Sequence, residues 1–376
     1  MAPAPSRREE RPESPAVSLA PGAPRGRFAA RAPYRFLLFC CGGSDRKSSV
    51  LGRNRVMQSI GLFHTKGGVG KSAVTVFLAD FLASLHDVRV LVVDLDPQGS
   101  SARALIPEEQ LMAAFGQGRS LTKVLSACYR GRLTKKLVES SVVWRTAAAK
   151  PRRGSVPLAD VAVLATEPKG YRTLTDLLHD VSKSERRKHL GMLRAALDLL
   201  ADEFDVVLID FPGSELPFWT LMGLRATDRW LLPEIPDYFS AAAIDMVCET
   251  VARARHVTGH DVQPLGTLLT ICPNRSSTVY KKTRTALTHL EKINAIPRLF
   301  SKDCEILHRP DAQKAIDWQS ETLPTLSRRY GSSTAPFHVG LRKLAKEVLE
   351  RLGATSKKDE LSFVADLRRR LTDYWR

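Results

Sequence analysis

The chain has 376 residues, of which 43% are hydrophobic, so it is long enough for one large domain or two ordinary ones with an extensive core. No apolar run reaches the roughly 18 residues of a membrane-spanning helix, and the six cysteines include no pair with zinc-type spacing. The formal net charge of +17 favours a polyanionic partner, and the scattered cysteines fit a reducing cytoplasm.

Residues 1–56 are rich in Pro, Ala, Arg, Gly and Ser and show no helical periodicity. This composition predicts a disordered basic tail, with eleven basic residues against four acidic ones. An organelle transit peptide is an alternative that Glu9, Glu10 and Glu13 oppose, and the match to a secretory signal is poor. A further alternative is that translation starts at Met57, because sequence with folded character begins directly after it.

From Ser59 onward, strand and helix patterns alternate. This alternation predicts an α/β fold with a mostly parallel, twisted sheet and helices on both of its faces. The predicted strands cover residues 60–64, 89–94, 161–164, 205–210, 229–235 and 264–272. The predicted helices cover residues 72–84, 121–138, 170–181, 184–202, 239–257, 278–294 and 337–352.

A glycine-rich segment joins the first predicted strand to the first predicted helix, and it reads Lys66-Gly67-Gly68-Val69-Gly70-Lys71-Ser72. Its glycines let several backbone N–H groups point into one concavity, and the helix that follows adds its positive end. Lys71 is placed to neutralise the β- and γ-phosphates, and the Ser72 hydroxyl to bind Mg²⁺. The segment predicts a P-loop NTPase that binds ATP with Mg²⁺ through residues 66–72 and Ala73.

The segment departs from the general P-loop pattern at two neighbouring positions. Thr65 stands where a glycine is expected, and a second lysine, Lys66, precedes the glycine pair. This pattern resembles the deviant Walker A motif, KGGxGKS or KGGxGKT, of the ParA/MinD family. The resemblance implies that Lys66 reaches across a nucleotide-sandwich homodimer to the partner's phosphates. Such a cation would make Lys66 catalytic and would tie hydrolysis to dimerisation.

Two predicted strands end in carboxylates, at the edge of a parallel sheet where ligands bind. Residues 94–99 read DLDPQG and resemble the family's DxDPQG signature, which implies that Asp96 activates the attacking water and that Asp94 supports the Mg²⁺ shell. Residues 204–210 resemble a Walker B strand, in which Asp210 would hold Mg²⁺ through a water. The family usually continues with two prolines, whereas this chain keeps only Pro212.

Later blocks extend the resemblance over residues 57–353, which predicts one ParA-like P-loop ATPase domain. Asn274 is a candidate adenine contact, although an Asn at a strand end is often only a turn residue. The resemblance implies an ATP-dependent homodimer, non-specific DNA binding, and a ParB-like or other adaptor that stimulates weak hydrolysis during plasmid, chromosome or cargo partition. The tail is too short and too Pro-rich for the helix-turn-helix domain of one subgroup.

Basic residues on predicted helices are the candidate DNA contacts: Arg253, Arg255, Lys281, Lys282, Arg284, Arg328, Arg329, Arg342 and Lys343. Residues 354–376 predict a polar hinge and a basic amphipathic helix. MinD-like relatives place such a helix on acidic membranes, but it could equally pack on the domain or on a second subunit. A MinD-like membrane-positioning ATPase and a metabolic ATP-dependent enzyme on the same scaffold are the alternative functions.

Overall fold

The computed structural model describes residues 56–145, 156, 158–179, 182–213, 217–308, 310–317 and 325–353. The predicted tail lies outside the described residues except for Val56, and so does the helix predicted for residues 354–376. Within these ranges, no helix combines the length and the apolar character needed to cross a membrane.

The described strands form one seven-stranded sheet: β1 (Gln58–Leu62), β2 (Val90–Asp94), β3 (Val143–Trp144), β4 (Ala162–Ala165), β5 (Val206–Asp210), β6 (Arg229–Glu234) and β7 (Gln263–Leu269). Their order across the sheet is β3-β4-β2-β5-β1-β6-β7. The β3–β4 pair is antiparallel, and the other pairs are parallel. The mostly parallel sheet that the alternating pattern predicts is therefore confirmed.

The α-helices of the described residues are α1 (Lys71–His86), α2 (Ser100–Leu105), α3 (Glu108–Gly116), α4 (Leu121–Tyr129), α5 (Lys135–Ser141), α6 (Pro168–His179), α7 (Lys183–Lys188), α8 (Met192–Asp198), α9 (Pro217–Arg225), α10 (Tyr238–Thr258), α11 (Thr278–Lys292), α12 (Pro310–Ile316), α13 (Leu326–Tyr330) and α14 (Pro336–Gly353). Several of them cover the sheet and bury it from both sides.

Every residue of β2 and β5 is buried, which explains their unbroken apolar sequences. Val90 and Val92 pack into a core that contains α1 and α14, whereas Leu91 and Val93 pack into a second core with α8, α9 and α10. Successive side chains of a strand point to opposite faces, so these two cores lie on the two faces of the sheet. The expected helices on both faces are confirmed.

One predicted helix, at residues 121–138, is in fact two. Gly131 has a φ of +66°, a left-handed conformation that ends the first helix, and Thr134 starts the next by accepting a hydrogen bond from Leu137 N–H at 3.2 Å. The helix predicted for residues 184–202 is likewise interrupted, by a 3₁₀ turn at His189–Gly191. At the first of these places, local capping by Gly131 and Thr134 therefore overrides the continuous apolar periodicity.

Candidate nucleotide-binding site

Three strands end at the same level on the carboxyl edge of the sheet. Leu62 of β1 pairs with Asp210 of β5, which in turn pairs with Asp94 of β2. The phosphate loop (residues 66–72) leaves β1 just past this level and leads into α1. Gly68 and Gly70 have φ values of +75° and +86°, which L side chains rarely adopt. The structure thus brings the predicted loop and both strand-end carboxylates together.

Lys71 is buried at the base of the loop. Its Nζ donates hydrogen bonds to the carbonyl oxygens of Lys66, at 3.0 Å, and His64, at 3.4 Å. Burial lowers the pKa of Lys71, while the carboxylates of Asp210 and Asp96 oppose this shift. A buried ammonium that is held by backbone carbonyls can exchange them for phosphate oxygens with little loss of hydrogen bonding.

Asp210 is the least satisfied polar group of the site. Its side chain is fully buried, and neither carboxylate oxygen completes a hydrogen bond of ordinary geometry among the described residues, although the Ser72 and Ser101 hydroxyls lie near enough to lower its pKa. Burial raises the pKa of Asp210 to about 8, and the charge of Asp94 adds to this, against the lowering influence of Ser72 and Lys71. Such an orphaned carboxylate beside a serine hydroxyl matches the oxygen ligands that Mg²⁺ prefers. The residues therefore fit Mg²⁺.

Asp94 pairs with Asp210 across the sheet, but its carboxylate is hydrogen-bonded. One of its oxygens accepts hydrogen bonds from the Ser101 hydroxyl, at 2.8 Å, and the Ala102 N–H, at 2.9 Å, and the other accepts the Asp96 N–H at 3.1 Å. Burial raises the pKa of Asp94 to about 6. Asp94 thus holds the first turn of α2, a helix that the sequence pattern did not predict, and its role in the Mg²⁺ shell stays a prediction.

The protein ligands do not build a closed metal cage. In the part of the chain that the structure describes, no group of three or more His, Cys, Asp and Glu side chains could hold a metal ion. P-loop proteins instead bind Mg²⁺ with few protein groups together with phosphate oxygens.

Asp96 lies between the phosphate loop and the segment that follows β5. One of its oxygens accepts the Gln98 N–H at 2.8 Å, and the other accepts the Gly213 N–H at 3.4 Å. A Cβ atom added to Gly67 would lie 3.6 Å from the carbonyl oxygen of Gly213, so the two loops approach closely. This position at the mouth of the site suits a residue that activates water, a role that stays a prediction.

Lys66, the extra lysine of the motif, is partly exposed. Its Nζ lies 3.5 Å from the Asp237 carboxylate of the same chain, and both side chains are 36% exposed. Its backbone N–H donates to His64 Nδ1 at 2.8 Å. The side chain is accessible to a second subunit, but its role across a dimer stays a prediction.

A cavity of about 460 Å³ opens beside the loop and is lined partly by residues that the sequence did not indicate: Thr270, Ile271, Ile306, Leu307, His308, Ala312, Gln313 and Ile316. Asn274 is exposed and does not line this cavity, and its side-chain oxygen accepts the Ser276 N–H at 3.0 Å in a local turn. Its contact with adenine stays a prediction. The missed residues come from three separate segments, so no local pattern marks them.

The structure corrects two of the candidate DNA contacts. Arg329 is buried, and its guanidinium binds Asp80 at 3.0 Å. Arg284 is only 15% exposed and binds the buried Glu305 at 2.5 Å. Both candidates were wrong as freely exposed cations, because their charges are needed inside the fold. The exposed candidates with no ion pair among the described residues are Arg253, Lys281, Lys282, Arg328 and Arg342.

The parallel sheet and the phosphate loop define this chain as a P-loop NTPase, and comparison with known sequences supports the same class. Residues 57–263, slightly more than half of the chain, match the family model described as AAA domain. The chain belongs to this family, as a P-loop ATPase of the ParA/MinD type.

Particular relatives agree with this assignment. The chromosome partitioning protein ParA of Myxococcus xanthus is 26% identical over 240 residues, which cover 64% of this chain and 72% of that protein. The structure of pNOB8 ParA bound to nonspecific DNA superposes with a TM-score of 0.60 at 20% identity, over 80% of this chain and all of the other. Cobyrinic acid a,c-diamide synthase of Mycobacterium smegmatis, with an ATP analogue and magnesium, gives 0.56 at 20% identity, over 80% and 98%. At these identities, the two structures show a common fold alone.

Proposed function

We propose that this chain is a ParA-like ATPase that binds Mg²⁺ and ATP and pairs with a second copy around the nucleotides. The paired form binds DNA without sequence preference. Hydrolysis is weak alone and is stimulated by a ParB-like or other adaptor, and it releases the DNA during partition of a plasmid, chromosome or other cargo. The observation that carries this proposal is the orphaned Asp210 carboxylate, which lies in register with Asp94 beside the phosphate loop.

The phosphate loop and its neighbours hold the nucleotide. Backbone N–H groups of residues 67–73 surround the phosphates, Lys71 neutralises their charge, and Ser72 and Asp210 hold Mg²⁺. When bound, the metal supplies neutralisation of the charge that develops on the phosphate oxygens. The solved neighbour with an ATP analogue and magnesium supports this choice of ligands.

Asp96 orients the attacking water and accepts its proton. Its contact with Gly213 N–H supports this role, because it places the carboxylate where the loop after β5 meets the phosphate loop. Lys66 of the other copy supplies the last positive charge around the terminal phosphate. Catalysis therefore requires two copies, since one copy lacks that charge on its own nucleotide.

Non-specific DNA binding follows from exposed positive charge. Lys281 and Lys282 are exposed on α11, and the whole chain carries a net charge of +17. A pair of subunits doubles the number of phosphate contacts, so the affinity for DNA rises and its salt dependence steepens on dimerisation. The nonspecific DNA in the pNOB8 ParA structure supports this partner. The 25–26% identity to chromosome-partitioning proteins favours this function over a metabolic one.

Size-exclusion chromatography with ATP, with ADP and without nucleotide, each with and without duplex DNA, tests the proposal. The wild type is expected to dimerise and bind DNA only with ATP and Mg²⁺. Lys66→Ala should bind ATP but stay monomeric, and Asp96→Ala should dimerise but fail to hydrolyse. Lys346→Ala is the matched control, because Lys346 is 71% exposed and pairs with Glu350 on α14. A Lys66→Ala protein that dimerises as the wild type does would refute the sandwich arrangement.

A further inference from the structure

The turn that joins β6 to α10, residues 234–237, contacts the phosphate loop at several points. Its backbone is tightly folded, because the Asp237 N–H donates to the Ile235 carbonyl oxygen at 2.7 Å across Pro236. Thr270 links this turn to the loop. Its N–H donates to the carbonyl oxygen of Glu234 at 2.8 Å, and its hydroxyl donates to the carbonyl oxygen of Val69 at 2.7 Å. The two segments therefore form one backbone unit.

A buried histidine fixes the backbone of Lys66 to the same turn. The Lys66 N–H donates to His64 Nδ1 at 2.8 Å, so Nδ1 is the unprotonated ring nitrogen. The hydrogen then lies on Nε2, which donates to the Glu234 carboxylate at 3.1 Å. The side chains of His64 and Glu234 are 0% exposed, so this chain of hydrogen bonds is shielded from water.

The side chain of Lys66 forms a partly exposed ion pair with this turn. Its ammonium lies 3.5 Å from the Asp237 carboxylate, and both side chains are 36% exposed. Because the backbone is anchored and the four-carbon stem has several rotatable bonds, the ammonium can exchange one oxygen partner for another without any movement of the loop. An exposed ion pair of this kind favours the position of the ammonium beside Asp237, but it is weak enough for the ammonium to exchange Asp237 for another anion.

We propose that Asp237 is a positioning residue for Lys66, which it retains in its own subunit until a second copy offers the phosphate oxygens of its nucleotide. The proposal rests on the proposed function, since it concerns the same trans contact. Dimerisation then exchanges an ion pair within each subunit for one across the interface. Asp237 thus sets the subunit concentration at which the ATP-bound dimer forms.

The size of the effect follows from the exposure of the pair. Exposed ion pairs change equilibrium constants by about 1.4-fold to 5-fold. Each dimer breaks two such contacts, so Asp237→Asn is expected to lower the dimer dissociation constant by about 2-fold to 25-fold. Damage to the fold would instead raise the dimer dissociation constant, because a distorted loop binds the nucleotide and the second copy less well.

Sedimentation of the full chain with Mg²⁺ and a non-hydrolysable ATP analogue measures this constant. Asp237→Asn should dimerise more tightly than the wild type, and Asp237→Glu should restore the wild-type value. The matched control is Asp261→Asn, which breaks an ion pair with Arg255 of similar exposure, 42% and 40%, and should leave dimerisation unchanged. An Asp237→Asn protein that dimerises as the wild type does, or more weakly, overturns the proposal.

A separate measurement keeps this test distinct from that of the proposed function. If neither the wild type nor Asp237→Asn dimerises, the proposed function fails. The contact itself is then judged in nucleotide-free protein by a double-mutant cycle of Lys66→Ala and Asp237→Asn. A coupling of at least about 1.4-fold in the unfolding equilibrium supports the retained ammonium, and no coupling overturns it.

Discussion

Replacing Asp210 by asparagine should stabilise the protein without nucleotide while abolishing its Mg²⁺-dependent affinity for ATP. The carboxylate is buried and completes no hydrogen bond of ordinary geometry among the described residues, and burial raises its pKa to about 8. In the unfolded chain, the same group titrates near 3.9, so unfolding releases a proton over the whole interval between these values. This ionisation favours the unfolded state at neutral pH.

The magnitude and sign follow from proton linkage. Below about pH 4, the group is neutral in both states and has no effect, and above it the stability falls by about 1.4 kcal/mol per pH unit until about pH 8. At pH 7, the cost is on the order of 4 kcal/mol. Asparagine at position 210 cannot ionise, whereas its buried amide is left as unsatisfied as the protonated carboxyl group. We therefore expect a gain of up to about 4 kcal/mol at pH 7 that vanishes near pH 4.

Denaturant unfolding across this pH range, with and without Mg²⁺ and ATP, measures both effects. At a hundredfold excess over the dissociation constant, ligand should stabilise the wild type by about 2.7 kcal/mol and the variant not at all. Asp198→Asn is the control, because Asp198 is 56% exposed in its pair with Arg194 and should change stability by less than about 0.5 kcal/mol. An Asp210→Asn protein no more stable than the wild type at pH 7 would refute the reasoning.

Two further predictions concern buried and exposed charge. Burial would raise the pKa of Asp80, but Arg145, Arg329 and the Tyr330 hydroxyl outweigh it and lower the pKa below its usual range. Asp80→Asn should therefore lower the free energy of unfolding at pH 7 by about 3–5 kcal/mol, measured with denaturant. This difference should disappear only as the pH falls through the lowered pKa of Asp80, and an unchanged stability at pH 7 would contradict the prediction. Replacing Lys281 and Lys282 by alanine removes four lysines from the paired form, so it should reduce the salt slope of DNA binding by about 4 in filter-binding assays, and an unchanged slope would exclude both as phosphate contacts.

The phosphate loop and the strand-end carboxylates were predictable because each depends on neighbouring residues. The three glycines of the loop lie within residues 67–70, and parallel strands place Asp94 and Asp210 at the same edge of the sheet. The apolar strands were likewise recognisable, since both faces of the sheet are buried. The match to the AAA domain family confirms the expected family of P-loop ATPases, whereas the roles of the individual site residues stay predictions.

Contacts between distant parts of the chain were not predictable. Arg329 resembled a surface cation on a helix, yet it lies 249 positions from the Asp80 that binds it. The pair of His64 and Glu234 spans 170 positions, and the lining of the cavity beside the phosphate loop comes from separate segments. Such partners depend on how helices pack on the sheet, and nothing in the local pattern identifies them.

The central claim is that the loop, Lys71, Ser72 and Asp210 together form a site for ATP with Mg²⁺. Titration calorimetry of ATP into the folded protein, with Mg²⁺ and with a chelator, tests it most directly. We expect ATP to bind much more tightly with Mg²⁺ than with the chelator. We also expect no binding by the Lys71→Ala variant, after circular dichroism has shown that this variant is folded. Equal heats with and without Mg²⁺, or no binding by the folded wild type, would contradict it.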